Sequence, residues 1–226
     1  MGSKKKKRDR GTQERLLESA CVVFAQKGYR NATIAKICER ADANIAAVNY
    51  YFGNKKTLYV EAWRMAFERS LAAHPPDGGV PDGAAAEERL GGRILALMRR
   101  IADPKSHEFE IVHKELANPT GLLAEVMRKS IEPIRQGLGA TVRELLGLKA
   151  PQRQVLLCMA SIRSQCFDEM IRTRRRRAFD EAGKAWGPPL LSLDIEEIAA
   201  HIARFSLAGI REIRRQIDSD ELGETE

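Results

Sequence analysis

The chain has 226 residues, 43% of them hydrophobic and 31% charged, and carries a formal net charge of +7 at pH 7. That length can bury a sizeable core and hold a small domain plus a larger one, while no apolar run approaches the roughly 18 residues of a membrane-spanning helix. The chain starts with polar residues rather than an apolar leader. Cys21, Cys38, Cys158 and Cys166 sit singly among apolar helical residues without CxxC spacing. A disulfide scaffold is therefore excluded, and a reduced, cytoplasmic protein with no membrane partner is expected. Charge is uneven along the chain. Residues 1–72 hold 15 Lys and Arg against 7 Asp and Glu, net +8, and the remainder holds 23 against 24, net −1. The excess positive charge thus falls on the first third, as a phosphate-facing surface requires.

In chain order, Lys4-Lys5-Lys6-Lys7-Arg8-Asp9-Arg10 is too polar and too like-charged to fold alone. Residues 1–10 are expected to be a mobile basic arm, either a solubilising tail or a strand of charge that tracks a nucleic-acid backbone. Residues 11–72 carry helix signals. Thr33 can cap a helix start, and Ile34, Ile37, Cys38 and Ala41 come next at the three-and-four spacing of one buried face. Asp42-Ala43-Asn44 then breaks the helix, with Asp42 able to adopt a left-handed conformation and Asn44 able to cap the second helix of the pair. That second helix runs from about Ile45 to Phe52, with Val48 and Phe52 inward and Asn44, Ile45, Ala47, Asn49 and Tyr50 on the outer or leading side. Small residues there permit close approach to base edges. Asn can bond adenine bidentately in the major groove, and Ala or Ile can touch a thymine methyl. A plain helical hairpin would not need these caps, the Tyr50-Tyr51-Phe52 cluster and Asn54-Lys55-Lys56 to coincide.

Thr12, the run RLLESACVVFAQKGY, the helix-turn-helix and YYFGNKKTLY together resemble the TetR family of bacterial repressors, over Thr12 to about Leu71. The resemblance implies three helices plus a fourth leading into the rest of the protein, a third helix that reads the major groove, and a phosphate contact from the lysine after the aromatics, here Lys55. On this reading Asn44, Ile45, Ala46, Ala47, Asn49 and Tyr50 face bases, while Thr33, Tyr51 and Lys55 are positioned for phosphates. Asp42 and Ala46 stand where the family usually has Gly, and both are small enough to fit. Asn49 and Tyr50 replace the common Tyr-His pair, which bears on the operator sequence more than on the docking mode.

Residues 73–86, AAHPPDGGVPDGAA, are dense in Pro and Gly and read as a linker. Helical patterns come after it at about 87–102, 106–117, 120–147, 151–182 and 194–218, broken at Pro104, Pro119, Pro151 and Pro188-Pro189, with Pro133 expected to kink or split the third. The total is about nine helices in an all-α, two-domain chain, residues 87–226 forming the second domain. Within it, His113 to Thr120 followed by Ile131-Glu132-Pro133-Ile134 is similar to the C-terminal domain of CecR-type members, which implies control of drug- or solute-handling genes.

Repressors of this family are dimers, because two half-sites on one face of the duplex need reading helices about 34–36 Å apart. Ile195, Ile198, Ile202, Phe205, Gly209, Ile213 and Ile217 repeat along the last helix as a candidate seam, with Gly209 allowing close approach. Leu156, Met159, Ile162, Cys166 and Met170 give the preceding helix a similar stripe. An effector pocket is expected between linker and seam, with Phe109, His113, Met127, Met159, Arg163 and Phe167 as candidates. The run Arg172 to Arg177 reads as a solvated helix end balanced by Asp168, Glu169, Asp180 and Glu181.

GxSxG, Walker, GxGxxG and HExxH motifs are all missing from the sequence. Glu110 and His113 do form the Glu-x-x-His spacing of carboxylate-bridged di-iron bundles, though without the second copy such a site needs. A metal-binding helical bundle or enzyme using that pair is the alternative. The expectation is a ligand-responsive transcriptional regulator, a repressor that binds a palindromic operator in double-stranded DNA as a homodimer and is released by a small-molecule effector, with no catalysis, cofactor or metal.

Overall fold

The structure, a computed structural model, describes residues 2–182 and 194–223, with side chains placed for 11–168 and 194–219. The side chains of the basic arm, Glu169, Met170, Arg172 to Arg177, Asp180 and Glu181, and the break at Pro188-Pro189, lie outside the described residues. Among the described residues there are nine helices and no strand: α1 (Gly2–Asn31), α2 (Ile34–Ala41), α3 (Ile45–Phe52), α4 (Lys55–Ala73), α5 (Ala86–Ala102), α6 (Glu108–Ala117), α7 (Ala124–Leu146), α8 (Gln152–Ala182) and α9 (Ile195–Gly223). None of the described helices is long and apolar enough to cross a membrane.

The first helix departs from expectation at both ends. It begins at Gly2, so residue 10 is not a structural boundary. Lys and Arg are good helix formers, and extending an existing helix avoids the cost of nucleation. Near its other end Gly28 adopts φ 70°, ψ 174°, which kinks the chain before Tyr29. Pro133 neither splits nor ends α7, which runs through it with one backbone hydrogen bond fewer.

The chain forms two compact units, and their boundaries correct the sequence-based division. The first holds the chain up to Ala73 together with Pro104–Ile131; the second holds His74–Asp103 and everything from Glu132 onward. The first segment of the N-terminal unit ends at Ala73, but α6 and the first two turns of α7 belong to that unit as well. α6 carries a buried face, Phe109 and Ile111, and packs against α1. Periodicity shows that such a face exists and is silent about which helix covers it.

In the first unit Leu16, Phe24, Ile37, Leu58, Tyr59 and Trp63 are fully buried. Phe24 meets Tyr59 edge-on at 4.7 Å between centroids, and Trp63 stacks on Phe67 at 5.0 Å. Glu115 of α6 ties this core to the adjoining turn. It accepts from the Tyr59 hydroxyl (3.0 Å), the Thr120 N–H and hydroxyl (both 2.8 Å) and the Gly121 N–H (2.9 Å).

In the second unit α5, α8 and α9 pack together around Leu90, Ile94, Met98, Val142, Met159 and Ile202. The Pro/Gly-rich segment is not a loose tether. Gly78 (φ 68°) lies so close to α5 that a Cβ on it would sit 2.4 Å from the Gly92 carbonyl oxygen, and one on Gly92 would sit 2.6 Å from the Asp77 oxygen and from Val80. Two glycines facing each other let backbone meet backbone there. His74 Nε2 lies 3.3 Å from Asp103 Oδ2, joining the start of this segment to the end of α5.

Candidate nucleic-acid interface

The helix-turn-helix is framed by three polar side chains. Thr33, in extended conformation, accepts the Lys36 N–H at 3.2 Å and starts α2. Asp42 takes the left-handed conformation, φ 48°, ψ 56°, and the Ala43 N–H closes the turn on the Cys38 oxygen at 3.0 Å. Asn44 then accepts the Ala47 N–H at 2.9 Å and starts α3. Arg15 of α1 donates from Nε to the last carbonyl of α2, Ala41, at 3.1 Å. Each interaction satisfies backbone groups that a short helix leaves without intrahelical partners.

α3 is held down by Val48 and Phe52, 1% and 6% exposed. Its outward face carries Ile45, Ala46, Asn49 and Tyr50, all exposed, while Ala47 and Tyr51 are half-buried. Thr33 and Asn44 are exposed too, but their side-chain oxygens serve as caps, so their capacity toward DNA is reduced. Gly53 (φ 72°) turns the chain, and Asn54 accepts the Thr57 N–H at 3.0 Å to start α4. Lys55 and Lys56 come next, at that helix start, where the dipole also favours an anion. Lys55 is half-buried with Nζ 4.5 Å above the Tyr29 ring, and burial lowers its pKa from the usual lysine value. Tyr29 and Asn54 thus join the candidate interface, although sequence reasoning assigned neither a role. The signals were present: an aromatic after a glycine at the end of α1, and an Asn three residues ahead of a Thr.

The remaining candidates are dispersed. Phe109, His113 and Met127 belong to the first unit and Met159, Arg163 and Phe167 to the second. Phe109 and Met159 are core residues. Of the six, Arg163 lines an apolar cavity of about 50 Å³ in the second unit, together with Pro76, Arg93, Leu97, Ile134 and Leu138. The seam divides as well. Ile202 is buried, and Ile195, Ile198, Ile213 and Ile217 lean on the same core, as do Met159, Ile162 and Cys166 of α8. Phe205 (64% exposed) and Gly209 face outward, joined by Leu156 and Leu157 of α8. A stripe of three-and-four spacing spans more than one face of a long helix, and the monomer core has first claim on it.

Glu110 pairs with His107, Oε2 to Nδ1 at 3.2 Å, and His113 is exposed. Among the described residues no group of three or more His, Cys, Asp and Glu is gathered in metal-binding geometry. All four cysteines are buried thiols, and burial pushes Cys21 and Cys166 up to about 12.

Comparison with known proteins matches the N-terminal and C-terminal parts separately. Residues 16–62 match the bacterial regulatory protein family named for TetR, and residues 86–210 match the C-terminal domain of the dual transcriptional regulator CecR. A relative described as a probable helix-turn-helix regulator, YttP of Bacillus subtilis, is 39% identical and aligns with 71% of this chain and 82% of its own. Among solved structures, a putative transcriptional regulator from Pseudomonas aeruginosa covers 90% of this chain and 92% of its own at a TM-score of 0.66 and 15% identity. A regulator from Rhodococcus sp. Rha1 covers 88% and 95% at a TM-score of 0.62 and 21% identity. At such identity these two speak for the fold alone. The family matches and the YttP relative agree with a capped reading helix presented outward beside a basic helix start, and the chain belongs to the TetR family of DNA-binding transcriptional regulators.

Proposed function

We propose that this regulator is a cytoplasmic repressor that holds a palindromic operator as a homodimer and releases it when a small molecule binds its C-terminal unit. The observation that carries the DNA-binding half is the outward face of α3, Ile45, Ala46, Asn49 and Tyr50, beside Lys55 seated on Tyr29. The first four meet bases, and Lys55, Lys56 and the amides at the start of α4 meet phosphate. Dimerisation is supported by the outward surface of α8 and α9, where Leu157, Phe205 and Gly209 line a groove of about 270 Å³. Exposed large apolar side chains clustered this way favour a second copy over water.

Selection of bound sequences from a random DNA pool tests the reading. A two-fold symmetric optimum is expected, with half-sites separated by about one helical turn or a multiple of it. An asymmetric optimum or salt-independent, sequence-neutral binding would overturn it.

A further inference from the structure

The small cavity of the second unit has apolar walls and a cationic lining. Arg93 of α5 has its Nε buried without a hydrogen-bond partner. Its guanidinium lies across Gly137 of α7, where a Cβ would come within 2.7 Å of Nη1. Arg100, two turns further along α5, is 4% exposed and lines the same cavity, as does Arg163 of α8. Leu97, Ile134 and Leu138 supply the apolar wall. An arginine fork has no acceptor capacity, so its N–H groups call for an anion or another acceptor, and a buried one left unmet costs stability.

These features select among ligand classes. Arg93, with its Nε unmet, disfavours a cation beside it. A neutral apolar molecule would leave Arg93 Nε unmet, and a small inorganic anion would give up its hydration against leucine and isoleucine walls without gaining from them. A carboxylate on a short apolar body answers both demands.

We propose that this cavity is the effector site and that its ligand class is a small amphiphilic organic acid, the carboxylate accepting from Arg93 and the apolar body lying among Leu97, Ile134 and Leu138. This rests on the reading of the protein as a repressor released by a ligand. At about 50 Å³ the cavity falls well short of the about 150 Å³ of one that takes benzene. Entry therefore has to part α5 from α7 at the Arg93–Gly137 contact. The first two turns of α7 belong to the other unit, so the helix that yields is one both units share.

The test uses the full-length protein. Hexanoate, its neutral counterpart hexanamide and inorganic sulfate are titrated by calorimetry, with operator affinity measured in parallel by fluorescence anisotropy. Hexanoate should bind at least about tenfold more tightly than hexanamide, and sulfate should not compete with it. Arg93→Gln should weaken hexanoate by about 10- to 100-fold. Gly137→Ala, which displaces the flexible end of Arg93 and keeps its charge, should weaken it too, with circular dichroism confirming that both variants are folded. Equal affinity for acid and amide, affinity unchanged in both variants, or no acid binding at millimolar concentration by protein that still binds its operator would each overturn the proposal. Arg93-dependent hexanoate binding that leaves operator affinity unmoved would uphold the ligand class and refute release. Displacement by sulfate would reduce the site to a general anion site and overturn the proposal.

Discussion

Replacing Glu115 with Ala removes one carboxylate and strands several donors. The Tyr59 hydroxyl loses its acceptor inside a residue that is 0% exposed, which costs about 1–3 kcal/mol. The Thr120 and Gly121 amides lie nearer the surface and turn to water, adding roughly 0.5–1 kcal/mol. The expected loss is about 1.5–4 kcal/mol. Tyr59→Phe is the informative contrast, because it deletes a donor while the carboxylate keeps the Thr120 and Gly121 groups, at a cost of about 0.5–1.5 kcal/mol. Burial first, and then the adjacent carboxylate, push the Tyr59 pKa up, so the hydroxyl donates throughout the accessible pH range. In the double variant nothing is stranded at Tyr59, and the combined loss should fall short of the sum by about 1 kcal/mol or more. Urea unfolding followed by Trp63 fluorescence, in a Trp186→Phe background, reports on the unit that holds this cluster. A Glu115→Ala variant within about 0.5 kcal/mol of the parent, or an additive double variant, would refute the reasoning.

At the DNA surface, Lys55→Ala should weaken binding across all sequences and reduce the slope of log affinity against log salt by about 1, whereas Asn49→Ala should relax preference at one position per half-site by about 1–3 kcal/mol. Competition assays at several salt concentrations separate the two, and a reversed pattern would mean that a different face of α3 meets the bases. Gly78→Ala should cost about 2–4 kcal/mol, because a positive φ combines with a clash against the Gly92 backbone. Gly79→Ala, also at positive φ (75°) but with open space around it, should cost only about 1–2 kcal/mol; equal losses in denaturant titrations would remove the docking of this segment onto α5. A Cβ added at Gly209 meets nothing within 4 Å, and Gly209→Trp should give monomers with weakened operator binding; a dimer of undiminished stability by sedimentation would move the interface elsewhere. Cys21 and Cys166 are protonated more firmly in the folded chain than the ordinary thiol value of 9.0 allows. Their contribution to stability is full below that value and is lost as pH rises toward about 12, so the urea midpoint should fall across that window and fall less in a Cys21→Ala, Cys166→Ala variant.

The N-terminal unit was the more legible half because its decisive features are local. Thr33, Asp42 and Asn44 act on neighbours within a few residues, and the Val48 and Phe52 face comes from helical spacing alone. Elements in the second half were legible as elements, and their pairings were not. Ile202 and Phe205 sit three residues apart on α9, one buried and the other 64% exposed, and hydrophobicity does not distinguish them. The effector candidates fall in both units for the same reason, since a polar-apolar mixture on α6 looks alike whether the helix meets α1 or the C-terminal helices. Lys55 on Tyr29 lay between these cases. The lysine was visible, and its seat, 26 residues upstream, depends on a kink at Gly28 that the Gly-Tyr pair marks without showing what the ring will meet.

The return of residues 104–131 to the N-terminal helices bears on how the chain is made. During synthesis the helix-turn-helix emerges first but cannot cover the α6-facing side of α1 until roughly sixty further residues have emerged, and the intervening α5 must meanwhile wait for α8 and α9. The reading unit therefore closes later than its position in the chain suggests, and a truncated product ending at residue 73 leaves an apolar helix face in water. Transplanting only residues 1–73 onto another regulator would carry the DNA specificity and leave behind the helix that completes its fold.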